Sequence, residues 1–385
     1  MLLSVGNLIF PDKLYRQIVL PLTTVMLIAI AGLRYETGGD WYNYTTLFRN
    51  FPNITDIIAH PRLMFAFAGL EEGFVVLAST IRWLGGSVQT LFLVIAIINL
   101  TLIGTALYKY TKYPVFGLLC YYCILYFNLE MIYIRQATAV ALCFYALQYI
   151  QPKRVGKYML MVVLACLFHR VAVVMIPLYF FLDKRLPQWL YLTIIGLGAL
   201  VMLAGFPWIT KIFITVSGWL GQEYANRAEM YTEMDIFAAH RTLSIGFVLN
   251  LLIFGCVVWF KDKIDAMKHG TVHLNMFFLS LVLYYYCYEL VEVSNRFRLF
   301  FLISIIVIMP LIVENFFHWF NKAIAFAIMT AYCFSFSMHI FLEYPKAAAY
   351  NPYQNYIDFK LHPRPSSGPD RLKKSIEYFH KDRGE

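Results

Sequence analysis

Four short polar clusters interrupt otherwise apolar sequence, and each carries side chains able to hold an anion or move a proton. The first runs Leu33-Arg34-Tyr35-Glu36-Thr37-Gly38-Gly39-Asp40-Trp41-Tyr42-Asn43-Tyr44; its glycines allow a tight turn, and Asp40 is followed by aromatics suited to stacking on sugar rings. Taken alone, the same pattern also fits a loop with an interfacial aromatic belt. The second, from Asn128 to Gln136, contains Glu130 and starts an apolar helix with Arg135. An arginine there is costly unless it is paired, with Glu130 as the nearby carboxylate, or engaged by a ligand. The third is Leu167-Phe168-His169-Arg170-Val171, where His169 is either a hydrogen-bonded packing residue or a general base. The fourth, from Glu292 to Phe301, opens a helix with Arg296 and Arg298; helix positions two apart point in different directions, so one of the two faces a shared cavity. A looser group, Glu223 to Arg227 through His240-Arg241, reads as a solvated loop. The guanidinium fork suits phosphate and carboxylate, so the recurring arginines point to an anionic ligand.

Other chemistries find little support. Glycine-rich phosphate loops, H-E-x-x-H and G-x-S-x-G are absent. Cys120 and Cys123 have C-x-x-C spacing but no second ligand pair, and all seven cysteines lie in apolar runs, so neither a metal nor a cofactor is expected.

The elements that position these clusters follow from composition. The chain is 60% hydrophobic and 14% charged, against about 45–50% apolar for a soluble domain. It reads as an all-α polytopic membrane protein. The net charge of +9 belongs to loops and tail, not to a nucleic-acid surface. One set of alternate breaks between apolar runs holds Lys13, Arg16, Lys109, Lys112, Lys153, Arg154, Lys157, Lys184, Arg185, Lys261, Lys263, Lys268 and Lys322. The other holds Arg34, Arg49, Arg62, Arg82, Arg135, Arg170, Lys211, Arg227, Arg241, Arg296 and Arg298. Lysines retained inside are ordinary topology signals, whereas arginines crowding the opposite face oppose that rule and imply a ligand there.

Segments 17–33, 88–108, 114–128, 135–150, 187–204, 242–260, 274–292, 298–313 and 322–342 are the expected spans, about nine crossings at roughly 20 residues or somewhat fewer each. No small-residue cleavage site follows the first apolar region, so that region reads as a retained anchor. Residues 158–182 have basic flanks on both sides and read as a re-entrant hairpin with His169 at its tip, each arm of roughly 17 Å being too short to cross. The outer segments 34–87 and 205–241 each contain an amphipathic stretch, Gly73–Leu84 and Phe206–Leu220, expected to lie in the interface. Residues 1–343 thus form a transmembrane domain and 344–385 a charged tail, placed outside if the last span crosses once.

At these residues the chain resembles the EpsG family, a branch of Wzy-type polysaccharide polymerases. The resemblance rests on Arg34 with Gly38-Gly39-Asp40-Trp41-x-x-Tyr44, Glu72-Gly73-Phe74, Arg135-Gln136-Ala137-Thr138-Ala139, Phe168-His169 with Pro177, Arg298-Leu299-Phe300-Phe301 and Asn351-Pro352-Tyr353, in order over residues 20–355. Gly39 departs from a common Thr, and the charged tail from Pro363 onward lies beyond the usual family end.

The resemblance implies a bacterial cytoplasmic (inner) membrane glycosyltransferase of O-antigen, capsule or exopolysaccharide biosynthesis. It would move a growing glycan from undecaprenyl diphosphate onto another lipid-linked repeat unit on the periplasmic or exterior side, with a chain-length regulator as a further partner. His169 is then the first choice of general base, with Asp40 and Glu72 as rivals. Arg135 and Arg298 would hold the diphosphate, assisted by Arg34, Arg170 or Arg296, while Trp41, Tyr44, Glu130 and Gln136 face the sugars. An O-antigen ligase or other lipid-linked-sugar glycosyltransferase would use the same charges. A flippase or transporter would spread polar residues across the midplane, and a membrane O-acyltransferase would need an acyl-donor path from the cytoplasm.

Overall fold

The protein is described by a computed structural model over residues 12–67, 69–205, 208–222, 225–226, 244–316, 318–342 and 346–382. Arg227 and His240-Arg241 lie outside the described residues, as do Phe206, Glu223 and the side chain of Lys211.

Apolar runs long enough to leave water become helices, because a helix satisfies its own backbone donors and acceptors. A helix stands at each of the nine segments expected to span: α1 Tyr15–Gly32, α4 Val88–Tyr110, α5 Pro114–Met131, α6 Ile134–Ala146, α8 Gln188–Ala204, α10 Ile245–Trp259, α11 Gly270–Tyr286, the pair α12 Val291–Leu302 and α13 Ile305–Glu314, and α14 Trp319–Leu342. Shorter helices α2 Trp41–Asn50 and α3 Glu72–Trp83 fill the first outer segment, α7 Val155–Cys166 precedes His169, and α9 Ile209–Leu220 fills the second outer segment. The tail forms α15 Lys346–Tyr350, α16 Tyr356–Leu361 and α17 Gly368–Asp382. Described residues hold no strand, only an isolated bridge between Arg34 and Asn355.

Among the described residues, four helices are long and apolar enough to cross a membrane, or six if each of two bent pairs counts as one span. The 23 residues of α4 reach about 35 Å, more than the roughly 30 Å of a bilayer's hydrocarbon core. Its start is fixed by a capping box in which Ser87 and Thr90 exchange side-chain and backbone bonds. Helices in lipid associate by close packing, and α1 meets α4 where Gly32 lies so near Leu93 that an added Cβ would stand 2.8 Å from the Leu93 Cα. The α12–α13 pair bends by 46° about Ser304, whose Oγ lies 3.1 Å from the Nδ1 of His273 on α11.

The basic breaks converge at two ends. At the lysine end, Lys109 donates to Gln148 at 2.7 Å, Arg185 to the Asp265 carbonyl at 2.8 Å, and Lys112 pairs with Glu314 at 2.6 Å. Arg16, Lys109, Lys112 and Lys268 line one cavity there. Lys261, buried, pairs with Asp265 at 2.6 Å, which in turn accepts from Thr271 at 2.8 Å. The clusters around Arg34, Arg135, Arg170 and Arg296 form the other end.

The segment after α6 folds as a hairpin. Lys153 pairs with Asp183 at its base, and the Tyr158 hydroxyl donates 2.7 Å to the Met175 carbonyl across the arms. The 12 residues of α7 span about 18 Å, and both feet of the hairpin lie at the lysine end, joined by the Lys153–Asp183 pair. The chain turns back at His169, whose extended backbone separates α7 from the tight helical turn Arg170–Val174.

At the arginine end, α2 and α3 bury Tyr44, Phe48, Phe51, Phe74 and Ile81 with Phe92 of α4 and Ile134 of α6, a second small core over the helix ends. The other face of α3 leaves Val76 and Trp83 exposed. α9 is anchored at its start by Glu289, which accepts from the backbone of Trp208, Ile209 and Thr210. α14 runs unbroken from the lysine end to the arginine end, where Phe341 packs against Tyr350. The tail therefore returns over the C-terminal end of α1: the Gly38 N–H donates to the Ala349 carbonyl at 2.9 Å, and Tyr353 donates to the Ile30 carbonyl at 2.9 Å.

Candidate active site

Arg135 is the centre of the best-formed polar cluster at the arginine end, and four elements converge on it. It lies in the first turn of α6, where its charge sits close to the helix start and needs a counter-charge. Glu71, the residue just before the first turn of α3, supplies that charge in a short ion pair; the Glu71 side chain is 11% exposed and that of Arg135 27%. From α2, Tyr44 sets its phenol against the same guanidinium. Burial pushes the Tyr44 phenol up to about 12, with Arg135 pulling the other way, so it keeps its proton at neutral pH.

His169 reaches this cluster because the hairpin tip docks on α3. The Gly73 N–H donates to the Leu167 carbonyl at 2.8 Å, and a Cβ on Gly73 would stand 2.7 Å from that oxygen. Only glycine allows this approach, and it places the Glu71 carboxylate, Arg135 and Arg296 as the charges acting on the imidazole. Phe300 stands 6.1 Å from the ring, and among the described residues the buried Nδ1 has no hydrogen-bond partner. A buried polar atom of that kind is suited to accept a proton from a ligand hydroxyl.

α12 closes the cluster. Gln136 donates from its side chain to the Arg296 carbonyl at 2.6 Å, tying α6 to α12, and Arg296 pairs through Nε with Glu292 at 3.0 Å. Asp40 sits at the edge, accepting from Asn43 at 3.0 Å, with its charge acting on Tyr44 and Tyr133.

Other expected site residues lie elsewhere. Glu130 does not pair with Arg135: it is 2% exposed and accepts from Tyr121 at 2.6 Å and Asn99 at 3.1 Å. Arg34, 1% exposed, donates to the backbone carbonyls of Ala31 and Glu130 and lies 4.2 Å above the Phe92 ring. It ties α1 to α5 and offers a soluble or lipid-borne anion little access. Glu72 and Arg170 meet at 3.5 Å with side chains more than half exposed, a rim pair beside the cluster. Arg298 turns away from Arg296 as the two-residue offset requires, its guanidinium 4.7 Å over the Tyr284 ring.

The residue missed is Glu71. It stands beside Glu72 in the sequence, and the only signal distinguishing them is position: Glu71 precedes the first turn of α3 and its carboxylate goes to Arg135, whereas Glu72 opens that turn and is more than half exposed. The assembled group can hold an anion on Arg135 and Arg296, accept a proton at His169 and donate one from Tyr44.

No curated protein and no solved structure matches the chain. The EpsG family model matches residues 17–355, from α1 to the bridge that joins the tail to Arg34. The match takes in every element of the cluster, and the chain belongs to the EpsG family, which is associated with exopolysaccharide biosynthesis.

Proposed function

We propose that this protein is a Wzy-type polysaccharide polymerase, transferring a growing glycan from undecaprenyl diphosphate onto another lipid-linked repeat unit. The observation that carries the reading is Arg135, fixed by Glu71 beside the His169 imidazole, whose Nδ1 has no partner among the described residues, at the arginine end of a membrane bundle. Leaving-group charge and hydroxyl activation are the two demands of glycosyl transfer from a lipid diphosphate, and this group meets both.

In the reaction the acceptor hydroxyl oxygen bonds to the anomeric carbon as the bond from that carbon to the diphosphate breaks. His169 takes the hydroxyl proton at Nδ1, in the tautomer that carries hydrogen on Nε2. Negative charge grows on the departing diphosphate, where Arg135 and Arg296 stabilise it with donors already oriented by Glu71 and Glu292. Tyr44, held in its protonated form, donates to a sugar or phosphate oxygen.

In this reading the bundle crosses the cytoplasmic membrane nine times with the lysine end inside. The helices of 13–17 residues, such as α6 and α11, cross with the help of their flanking turns.

Purified protein supplied with undecaprenyl-diphosphate-linked repeat units tests the proposal. A ladder of longer lipid-linked glycans from wild type, lost in Arg135→Ala, supports it. Transfer to a non-repeat acceptor such as lipid A core, with no ladder, would assign a ligase instead.

A further inference from the structure

A cavity of about 410 Å³ opens at the arginine end, with Trp41 in its lining one turn of α2 from Tyr44, within the roughly 300–1,000 Å³ of small-molecule sites. It lies between α2, the start of α4 and α16, and Tyr356, the first residue beyond the family match, contributes to its lining. Trp41 and Tyr35 line it from the first outer segment and Tyr356 lines it from the tail. Trp41 and Tyr44 are three positions apart on α2, about 4.5 Å of helix rise, and Tyr44 lies against Arg135.

The tail wall is firmly held. The Tyr356 N–H donates to the Leu33 carbonyl at 2.7 Å, and the Phe359 ring stacks on Tyr35 at 4.2 Å. Arg371, 8% exposed, donates to the Glu36 carbonyl at 2.7 Å and the Pro352 carbonyl at 2.9 Å.

Two observations identify the chemistry of an occupant. Gln89, at the start of α4, lines the cavity while 8% exposed, and its Oε1 is buried with no hydrogen-bond partner among the described residues. An acceptor of that kind is satisfied by a hydroxyl. Arg82, which also lines the cavity, gives Nη1 to the Phe48 and Arg49 carbonyls at 3.0 and 2.6 Å, and the Arg49 and Glu36 side chains share the lining with it, cations balanced by a carboxylate. Aromatic faces with an orphaned amide oxygen suit a polyhydroxylated ring. We infer that this cavity is a saccharide subsite, completed by the C-terminal tail, that grips sugar rings of the lipid-linked glycan beside the reaction centre. The inference rests on the polymerase reading for its substrate.

The test uses full-length purified protein. Gln89→Leu removes the buried amide for a side chain of similar size, Tyr356→Ala removes the tail's ring, and Tyr356→Phe keeps it. Two readouts are taken: saturation-transfer NMR with water-soluble oligosaccharides released from the producing strain's own polymer, and KM with product length for the lipid-linked repeat unit. Gln89→Leu and Tyr356→Ala should each weaken saturation transfer, raise KM about tenfold and shorten the products, as loss of one polar or stacking contact implies; Tyr356→Phe should stay near wild type. Wild-type values for Gln89→Leu in both readouts, with folding checked by melting, would overturn the subsite. Oligosaccharide binding lost in the variants while even wild type makes no polymer would keep the subsite and sink the polymerase reading. Polymerisation by wild type with all variants unchanged would sink the subsite alone. Shorter oligosaccharides competing as well as long ones would assign the cavity to the acceptor unit; a preference growing with length would assign it to the growing chain.

Discussion

At the scale of single residues, adjacent glutamates separate two kinds of charge. Glu71 is nearly enclosed against Arg135, whereas Glu72 meets Arg170 on an exposed rim. An exposed pair contributes about 0–1 kcal/mol, so Glu72→Gln should leave polymerisation within about twofold of wild type. Glu71→Gln removes the counter-charge that aims the Arg135 fork, and is expected to lower kcat at least about tenfold, a factor worth about 1.4 kcal/mol. Equal effects of the two changes in an initial-rate assay would refute the assignment. His169→Gln keeps a polar side chain but no basic nitrogen, and a lost general base costs about 10²–10⁴ in rate; single-turnover transfer measures it. Arg135 and His169 are legible in the sequence because each is a costly polar group in apolar surroundings. Glu71 is not, since a one-residue offset at a helix start decides its direction and no composition signal carries that. Glu130 misleads for the same reason: five positions from Arg135, it turns instead toward Tyr121 and Asn99.

At the scale of elements, the hairpin with its tip at His169 is what brings the imidazole within reach of the Glu71 and Arg135 charges. Its doubly basic flanks make it readable from the sequence, because basic residues at both ends of one apolar run argue for both feet on the same side. Its docking site is not readable. That depends on Gly73, where any Cβ would press on the Leu167 carbonyl. Gly73→Val should therefore displace the tip, cutting activity to the level of the His169 variant while the protein still inserts and melts cooperatively. Activity near wild type would show that the tip does not set the site. The bent α12–α13 pair illustrates a similar limit: residues 298–313 are recognisable as apolar, yet the helix begins earlier, at Val291, and that first stretch carries Glu292 and Arg296 into the site.

For the whole molecule, the segregation of lysine and arginine becomes a physical polarity of the bundle. The topology predicts that a cysteine replacing exposed Lys374 in the tail reacts with a membrane-impermeant maleimide from outside intact cells or spheroplasts, whereas one replacing exposed Lys263 does not. The reverse pattern would invert the protein and remove the outer active site. Arginine neutralises the diphosphate in the proposed reaction, so stripping divalent ions from purified protein should leave the rate of polymerisation unchanged; abolished polymerisation would require a metal in the mechanism. Class, order of helices, hairpin and polarity were determined by the sequence alone, because each reflects how one segment partitions between water and lipid, a property of its own composition. Which side chains meet was decided only by the tertiary structure. The Arg135–Glu71 pair, the burial of Arg34, the turning of Arg298 onto Tyr284 and the return of the tail over α1 are contacts between different elements of the chain. Their choice depends on helix rotation and close approach, which local pattern does not encode.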